Sequence, residues 1–224
     1  MKADKVENWS FVEGDNALQK AIEKQNKWTR KSNSTLLDYQ KDQLLQALRF
    51  VKKFDSAVDA GANYGLMSYH LSSRFNKVHA FEIDTQVSKC LVENVKKFNL
   101  ENVIVYEHGL GDKERTVDLK YSKNSFATQV DPEKDQGNFL IKTLDSLNLK
   151  ACDFIKIDCE GYEPHIIRGG EETIKQYRPV IIMEDKNLSE IYGEDGQNSV
   201  KILESWGYKK AVQFKKDCIM TYGK

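Results

Sequence analysis

The sequence predicts an α/β fold: a mostly parallel sheet with helices on both faces, an antiparallel closing strand, and N-terminal helices ahead of it. Three observations predict it. From residue 56 onward, short apolar runs alternate with segments of helical period. The first run ends in a glycine-rich turn, Asp59-Ala-Gly61-Ala62-Asn63-Tyr-Gly65. The last two runs, 210–214 and 218–222, are joined by the short link 215–217 and must therefore lie antiparallel.

Residues 1–55 read as an N-terminal helical extension and 56–224 as the sheet-bearing domain. In the extension, Leu18, Ala21 and Ile22 fit a short amphipathic turn. Leu37, Leu44, Leu45, Leu48 and Val51 fit a longer helix by their spacings of three, four and seven. Ser34 or Thr35 can cap its start. Between Lys20 and Lys31 five basic residues stand against one Glu, a solvated helix face or a basic patch facing substrate. The first strand, 56–62, is followed by Met67, Leu71 and Phe75 at helical spacing. The second strand is 78–83, and Val87, Leu91, Val95 and Phe98 mark the next helix. Val103, Val105 and the residues up to Gly109 form the third strand.

Segment 112–143 breaks this rhythm. Val117, Leu119 and Tyr121 alternate as in a half-exposed strand, and 139–141 suggests another. Between them 129–137 is a polar loop. Such an excursion suits a variable, substrate-side surface. The alternation resumes with strand 154–158, a helix through Ile166, Ile167, Gly170 and Ile174, strand 179–183 and helix 200–206.

Composition narrows the function classes. The chain has 224 residues, and 34 Lys+Arg balance 34 Asp+Glu. Zero net charge argues against a dedicated nucleic-acid binder and against an acidic disordered tail. Hydrophobic residues at 40% supply a sizeable core, so bulk disorder is excluded. No apolar run approaches a membrane span, and the first residues lack the apolar stretch of a signal peptide. Cys90, Cys152, Cys159 and Cys218 form no C-x-x-C pair and read as reduced, buried residues. The expected location is therefore cytoplasmic.

The glycine turn sits where the first strand meets the first sheet helix, the place where backbone must approach a ligand. Its middle position is Asn63 rather than glycine, so it favours a ligand without a pyrophosphate. Asp59 is expected to aim a carboxylate at the site, suiting a cation or amino group. Glu82 follows 21 residues after Gly61, where an acid accepts hydrogen bonds from ribose hydroxyls. Asp84 is expected to cap the helix near Thr85. Gly109, Leu110 and Asp112 can flank an adenine, with Asp112 accepting from its amine, or form a tight surface turn. These strand ends describe a nucleoside with a positive, phosphate-free extension, which S-adenosylmethionine fits.

D-A-G-A-N-Y-G, F-E-I-D, T-L-D-S-L at 143–147, D-F-I-K-I-D-C-E-G-Y-E at 153–163 and R-P-V-I-I-M-E-D at 178–185 together resemble the FkbM family of S-adenosylmethionine-dependent methyltransferases. The likeness covers roughly residues 56–186. It implies a class I methyltransferase, Rossmann-like fold and O-methylation of hydroxyls on sugars, glycans or small metabolites. By the same likeness Asp59, Gly61, Asn63 and Gly65 would line the cofactor, and Glu82 would hold its ribose.

Alternate residues of a strand share a face, so Lys156, Asp158 and Glu160 are expected to point one way. A lysine in an apolar strand needs a partner, for which Asp158 or Glu184 is the natural candidate. Glu184 and Asp185 end the next strand, so carboxylates and one ammonium should converge beside the methyl donor. A hydroxyl acceptor must lose a proton, which a nearby carboxylate can take. Asp158 or Glu160 is the expected base or acceptor-orienting group, held by Lys156; a pair that only stiffens the strand end is the alternative. A divalent ion on Asp158, Glu160, Glu184 and Asp185 is possible but not favoured, because the lysine already neutralises part of the charge. Of the histidines, His70, His79 and His108 carry little signal, and His165 is the best candidate.

Two other functions compete. An RNA ribose 2′-O-methyltransferase could use Asp158 and Lys186, yet zero net charge weakens a phosphate-backbone contribution. A nucleotide-binding module of the NAD type suits Glu82 but not the glycine turn. The expected partner is a small-molecule or glycan hydroxyl, with no membrane and with nucleic acid disfavoured.

Overall fold

A computed structural model describes residues 5, 8–16, 20, 23, 35–121, 128–134, 136–185, 188–193 and 198–223. Along them run α1 (Lys41–Leu48), β1 (Ser56–Ala60), α2 (Leu66–Ser72), β2 (Lys77–Phe81), α3 (Thr85–Lys97) and β3 (Val103–Tyr106). Then come β4 (Phe154–Ile157), α4 (Glu163–Arg168), α5 (Glu171–Tyr177), β5 (Val180–Glu184), α6 (Asn198–Ser205), β6 (Tyr208–Gln213) and β7 (Asp217–Tyr222). The seven strands make one sheet in the order β3-β2-β1-β4-β5-β7-β6. Strands β1 to β5 pair in parallel, and β7 runs antiparallel to both of its neighbours. The chain winds outward from β1 to β3 and returns to lay β4 on the other side of β1. That reversal opens a crevice above the carboxyl ends of the strands.

The two-residue period of the strands sorts the core. Ile155, Ile157, Ile181 and Met183 join Ile166, Ile167, Ile174, Val200 and Leu203 of α4, α5 and α6 in one apolar cluster. Ala57, Phe154, Val180 and Ile182 join Leu44 and Ala47 of α1, Met67 and Leu71 of α2 and Leu91 of α3 in another. Strands β1, β4 and β5 are buried along their whole length, as a sheet covered on both faces requires. Among the described residues, no helix is long and apolar enough to cross a membrane.

Several boundaries differ from the sequence reading. The expected first helix is a 3₁₀ turn at Leu36–Asp38 followed by α1, with Gln40 between them at φ 55°. The helical register restarts there, so Leu44 and Ala47 are buried while Leu45 is exposed. Thr35 does cap the 3₁₀ turn reciprocally, its N–H donating to Asp38 Oδ2 at 2.8 Å. Leu18, Ala21, Ile22, Ser34, Lys186 and most of the basic stretch lie outside the described residues. The third strand stops at Tyr106; Gly109–Leu110 pairs instead with Phe139–Lys142, which also pairs with Arg115–Val117. Within the excursion Leu119–Lys120 pairs with Gln129–Val130, so the expected loop begins as a strand.

The single helix expected after β4 is two, α4 and α5, broken at Gly169 and Gly170. A Cβ on Gly169 would sit 1.8 Å from the Gly111 carbonyl oxygen. The break lets the excursion's backbone cross the helix at that point. It is a close approach that spacing in the sequence does not reveal.

Candidate active site

A cavity of about 380 Å³ opens at the carboxyl ends of β1, β2, β4 and β5. Ile83, Leu110, Leu119, Val130 and Ile141 form an apolar wall, while Glu82 stands at one polar end and Asp158, Glu160 and Glu184 at another. Leu119 and Val130 come from the excursion. It is tied to the turn after β4 by Gln129 Nε2, which donates to the Glu160 carbonyl oxygen at 3.0 Å.

Gly61, Ala62 and Asn63 line the cavity. The N–H groups of Gly61 and Ala62 are spent on the Phe81 carbonyl oxygen at 3.1 and 2.8 Å, locking the turn to β2. Gly61 has φ +75°, and a Cβ there would lie 2.2 Å from the Asp158 carbonyl oxygen. Its glycine is thus demanded by the neighbouring strand end. The Asn63 N–H donates to Glu82 Oε2 and the Asp84 N–H to Glu82 Oε1, each at 2.9 Å. Burial pushes the Glu82 carboxyl up to about 7, against the pull of these two N–H groups. Gly65 starts α2 at φ +92° against Leu91 and does not line the cavity. Asp84 caps α3, accepting from Gln86 N–H at 2.8 Å. Gly109 and Leu110 line the cavity, whereas Asp112 is not on its wall.

Asp59 does not aim at the cavity. It is fully buried and accepts from Ser68 Oγ at 2.6 Å. The register of β1 on β4 sets Asp59 opposite Lys156, whose Nζ lies 3.4 Å from Asp59 Oδ1 and donates to the Gly61 carbonyl oxygen at 2.6 Å. The expected partners of Lys156, Asp158 and Glu184, give way to Asp59 because β4 lies beside β1. Burial alone would lower the Lys156 ammonium. Asp59 and Asp158 outweigh it and hold the group above the usual lysine range. Lys156→Met would strand Asp59 as a buried lone charge. We expect a loss of about 3–5 kcal/mol in urea unfolding, largely restored in Asp59→Asn/Lys156→Met.

Carboxylate oxygens of Asp158, Glu160 and Glu184 lie within 4.8 Å of one another, close enough to share one hard cation. Asp158 and Glu160 follow the end of β4, and Glu160 is turned by φ 50° into the group. Simple strand alternation therefore does not carry this convergence. Asp185 is drawn off to Lys210 Nζ at 3.0 Å and stays outside the group. Asp158 Oδ2 accepts from Gln40 Nε2 at 3.3 Å. Gln40, Tyr39 and Gln43 also line the cavity, as do Lys216 and Asp217. Burial and then the Asp158 carboxylate push the Tyr39 phenol up to about 12, so it stays protonated. Sequence reasoning missed these five residues. The first three are polar positions around a helix start with no motif, and the last two were legible only as a link between strands.

Tyr162 also lines the cavity. The Arg115 guanidinium donates to its hydroxyl, and His165 stacks on its ring with centroids 4.4 Å apart. Glu163 Oε1 accepts from the Cys159 and Gly161 N–H groups at 2.9 and 3.2 Å and shapes the turn beneath. Among the described residues, no histidine is on the cavity wall. His79 is kept neutral by burial, its imidazole lowered to about 4, and meets the Tyr106 hydroxyl at 3.0 Å. His70 Nε2 contacts the Leu37 carbonyl oxygen at 2.8 Å.

Comparison with known families matches residues 59–210 to the methyltransferase FkbM domain. The structure of methyltransferase FkbM from Methylobacillus flagellatus KT superposes with a TM-score of 0.54 at 16% identity, covering 75% of this chain and 43% of that one. This chain thus spans less than half of that protein. A Streptococcus mutans protein in complex with SAH superposes with a TM-score of 0.52 at 13% identity over 80% of this chain and 96% of that one. Precorrin-6y C5,15-methyltransferase from Geobacter metallireducens GS-15 gives 0.50 at 19% identity over 82% and 88%. At these identities the likeness is one of fold, the class I, Rossmann-like methyltransferase architecture. No curated protein matches the chain.

Proposed function

Because the chain belongs to the FkbM methyltransferase family, we propose that it uses S-adenosylmethionine to methylate a hydroxyl oxygen of a sugar, glycan or small metabolite. One observation carries the reading: a single cavity joins the buried Glu82 carboxylate to the Asp158, Glu160 and Glu184 group. The cofactor fits the residues present. Glu82 is oriented by two backbone N–H groups and keeps lone pairs for ribose hydroxyls. Ile83 and Leu110 offer an apolar slot for an adenine beside it. When bound, S-adenosylmethionine supplies an electrophilic methyl group with a good leaving group behind it.

The chain's own residues then have two tasks. They must hold the acceptor oxygen in line and dry, and they must take its proton. Asp158 is the base, with Glu160 and Glu184 orienting the acceptor and Lys156 fixing the strand end below. Tyr39, Gln40 and Gln43 line the cavity beside this group. Asp158, Glu160, Glu184 and Asp217 make this end acidic, which supports a neutral acceptor over a phosphate backbone. We propose the same acidic group as unmetallated, since the Lys156 ammonium, though paired with Asp59, also feels the Asp158 charge; full activity in excess chelator is the expected result.

The test is calorimetry and thermal shift with S-adenosylmethionine, S-adenosylhomocysteine and NAD. Labelled methyl transfer to a panel of methyl hexopyranosides, glycerol and catechol follows. The first two ligands should release heat and raise the melting midpoint by several degrees, as about 2.7 kcal/mol at a hundredfold excess over Kd implies, while NAD should not. Silence with both adenosyl ligands would end the proposal.

A further inference from the structure

We infer that Gln40 is a positioning residue that sets the plane of the Asp158 carboxylate, an inference that rests on the role proposed for Asp158. Gln40 sits at φ 55° and ψ 7°, a left-handed conformation that favours glycine or asparagine. The turn therefore does not account for a glutamine. Its backbone needs are generic: the carbonyl oxygen accepts from Leu44 N–H at 3.1 Å, which any residue supports. Both flanks are anchored. Leu36 is buried on one side, and Leu44 and Ala47 are packed against the sheet on the other. A strained residue held rigidly from both sides can aim a side chain with little freedom, and this one is aimed into the cavity.

The target of that aim is Asp158. Gln40 Nε2 lies 3.3 Å from Asp158 Oδ2, and the two residues are 118 positions apart in the chain. Lys156 cannot do the same job, because its Nζ is directed to Gly61 and Asp59. A carboxamide is a neutral donor at every pH. It can hold one carboxylate oxygen in place and leave the other to face the acceptor. Glutamate in its place would set two acids against each other.

The contact can be tested by exchanging its polarity in the full-length chain. Gln40→Glu should lower the melting midpoint at pH 8 by several degrees. Gln40→Glu/Asp158→Asn should regain most of that loss, because the donor and acceptor are then swapped. Methyl transfer to the hydroxyl panel should stay lost in this pair. Gln40→Gly should keep the wild-type midpoint and S-adenosylhomocysteine affinity while kcat falls about tenfold or more, with acceptor KM little changed. A merely structural glutamine predicts the opposite for glycine, full turnover. Gln40→Glu at the wild-type midpoint, or no recovery in the pair, overturns the inference. Recovery in the pair together with undiminished transfer by Asp158→Asn alone would instead overturn the role of Asp158.

Discussion

Asp158→Asn is expected to lower methyl transfer by about 10²- to 10⁴-fold, the usual worth of a positioned general base. S-adenosylhomocysteine should bind the variant as it binds the parent. The substitution keeps the shape of the side chain and removes only its capacity to take a proton. Asp158 lies at the end of β4, next to the Gly61 turn, with Glu160 and Glu184 oxygens within 4.8 Å. Its neighbour Lys156 is committed to Asp59 and Gly61 and, as an ammonium, takes no proton. Single-turnover transfer of labelled methyl, beside calorimetry with S-adenosylhomocysteine, separates chemistry from binding. A variant that turns over like the parent would mean that the acceptor loses its proton elsewhere.

The second large effect concerns the cofactor end and pH. Burial pushes the Glu82 carboxyl up to about 7 in the free protein. Ribose hydroxyls donate to the ionised form, so binding should pull the carboxyl back down. Affinity for S-adenosylhomocysteine should therefore be complete above about pH 7. Below that value binding must expel one proton, so affinity should drop by up to about tenfold for each further step of one in pH. Glu82→Ala should cost roughly a hundredfold or more, the worth of two lost charge-assisted hydrogen bonds. It should also flatten the dependence between pH 6 and 8. In Glu82→Gln an amide donor would face the Asn63 or Asp84 N–H, so the isosteric change should bind poorly too. The free fold shows the reverse sign. A carboxyl that holds its proton longer when folded costs stability as pH rises from 4.5 towards about 7, and Glu163, also raised by burial to about 7, adds to this. Calorimetry at pH 6, 7 and 8 checks the binding slope; an unchanged slope in Glu82→Ala would assign it to another group.

Both sites were partly legible because strand ends have a simple grammar. A strand is a two-residue period with a bounded apolar run, and its carboxyl end in a parallel sheet faces the ligand crevice. That rule was enough to single out Gly61, Asn63, Glu82, Asp158, Glu160 and Glu184, all of which line one cavity. It misplaced residues whose role depends on a neighbour. Asp59 sits at a strand end by sequence, yet it pairs inward with Lys156 and Ser68. Asp112 and Gly65 also lie near strand and helix ends but are off the cavity wall.

The sequence by itself determined the alternation of strands and helices, the antiparallel closing pair, the family and the chemistry available at the strand ends. These are local properties: periodicity, turn residues and short motifs, each written within a few positions. The tertiary structure alone decided which distant residues meet. Lys156 finds Asp59 because strand order places β4 beside β1 in that register, and Gln40 reaches Asp158 because α1 folds back over the sheet. Those pairings arise from packing two apolar faces of one sheet, where the free energy depends on the whole core and on no single stretch of chain.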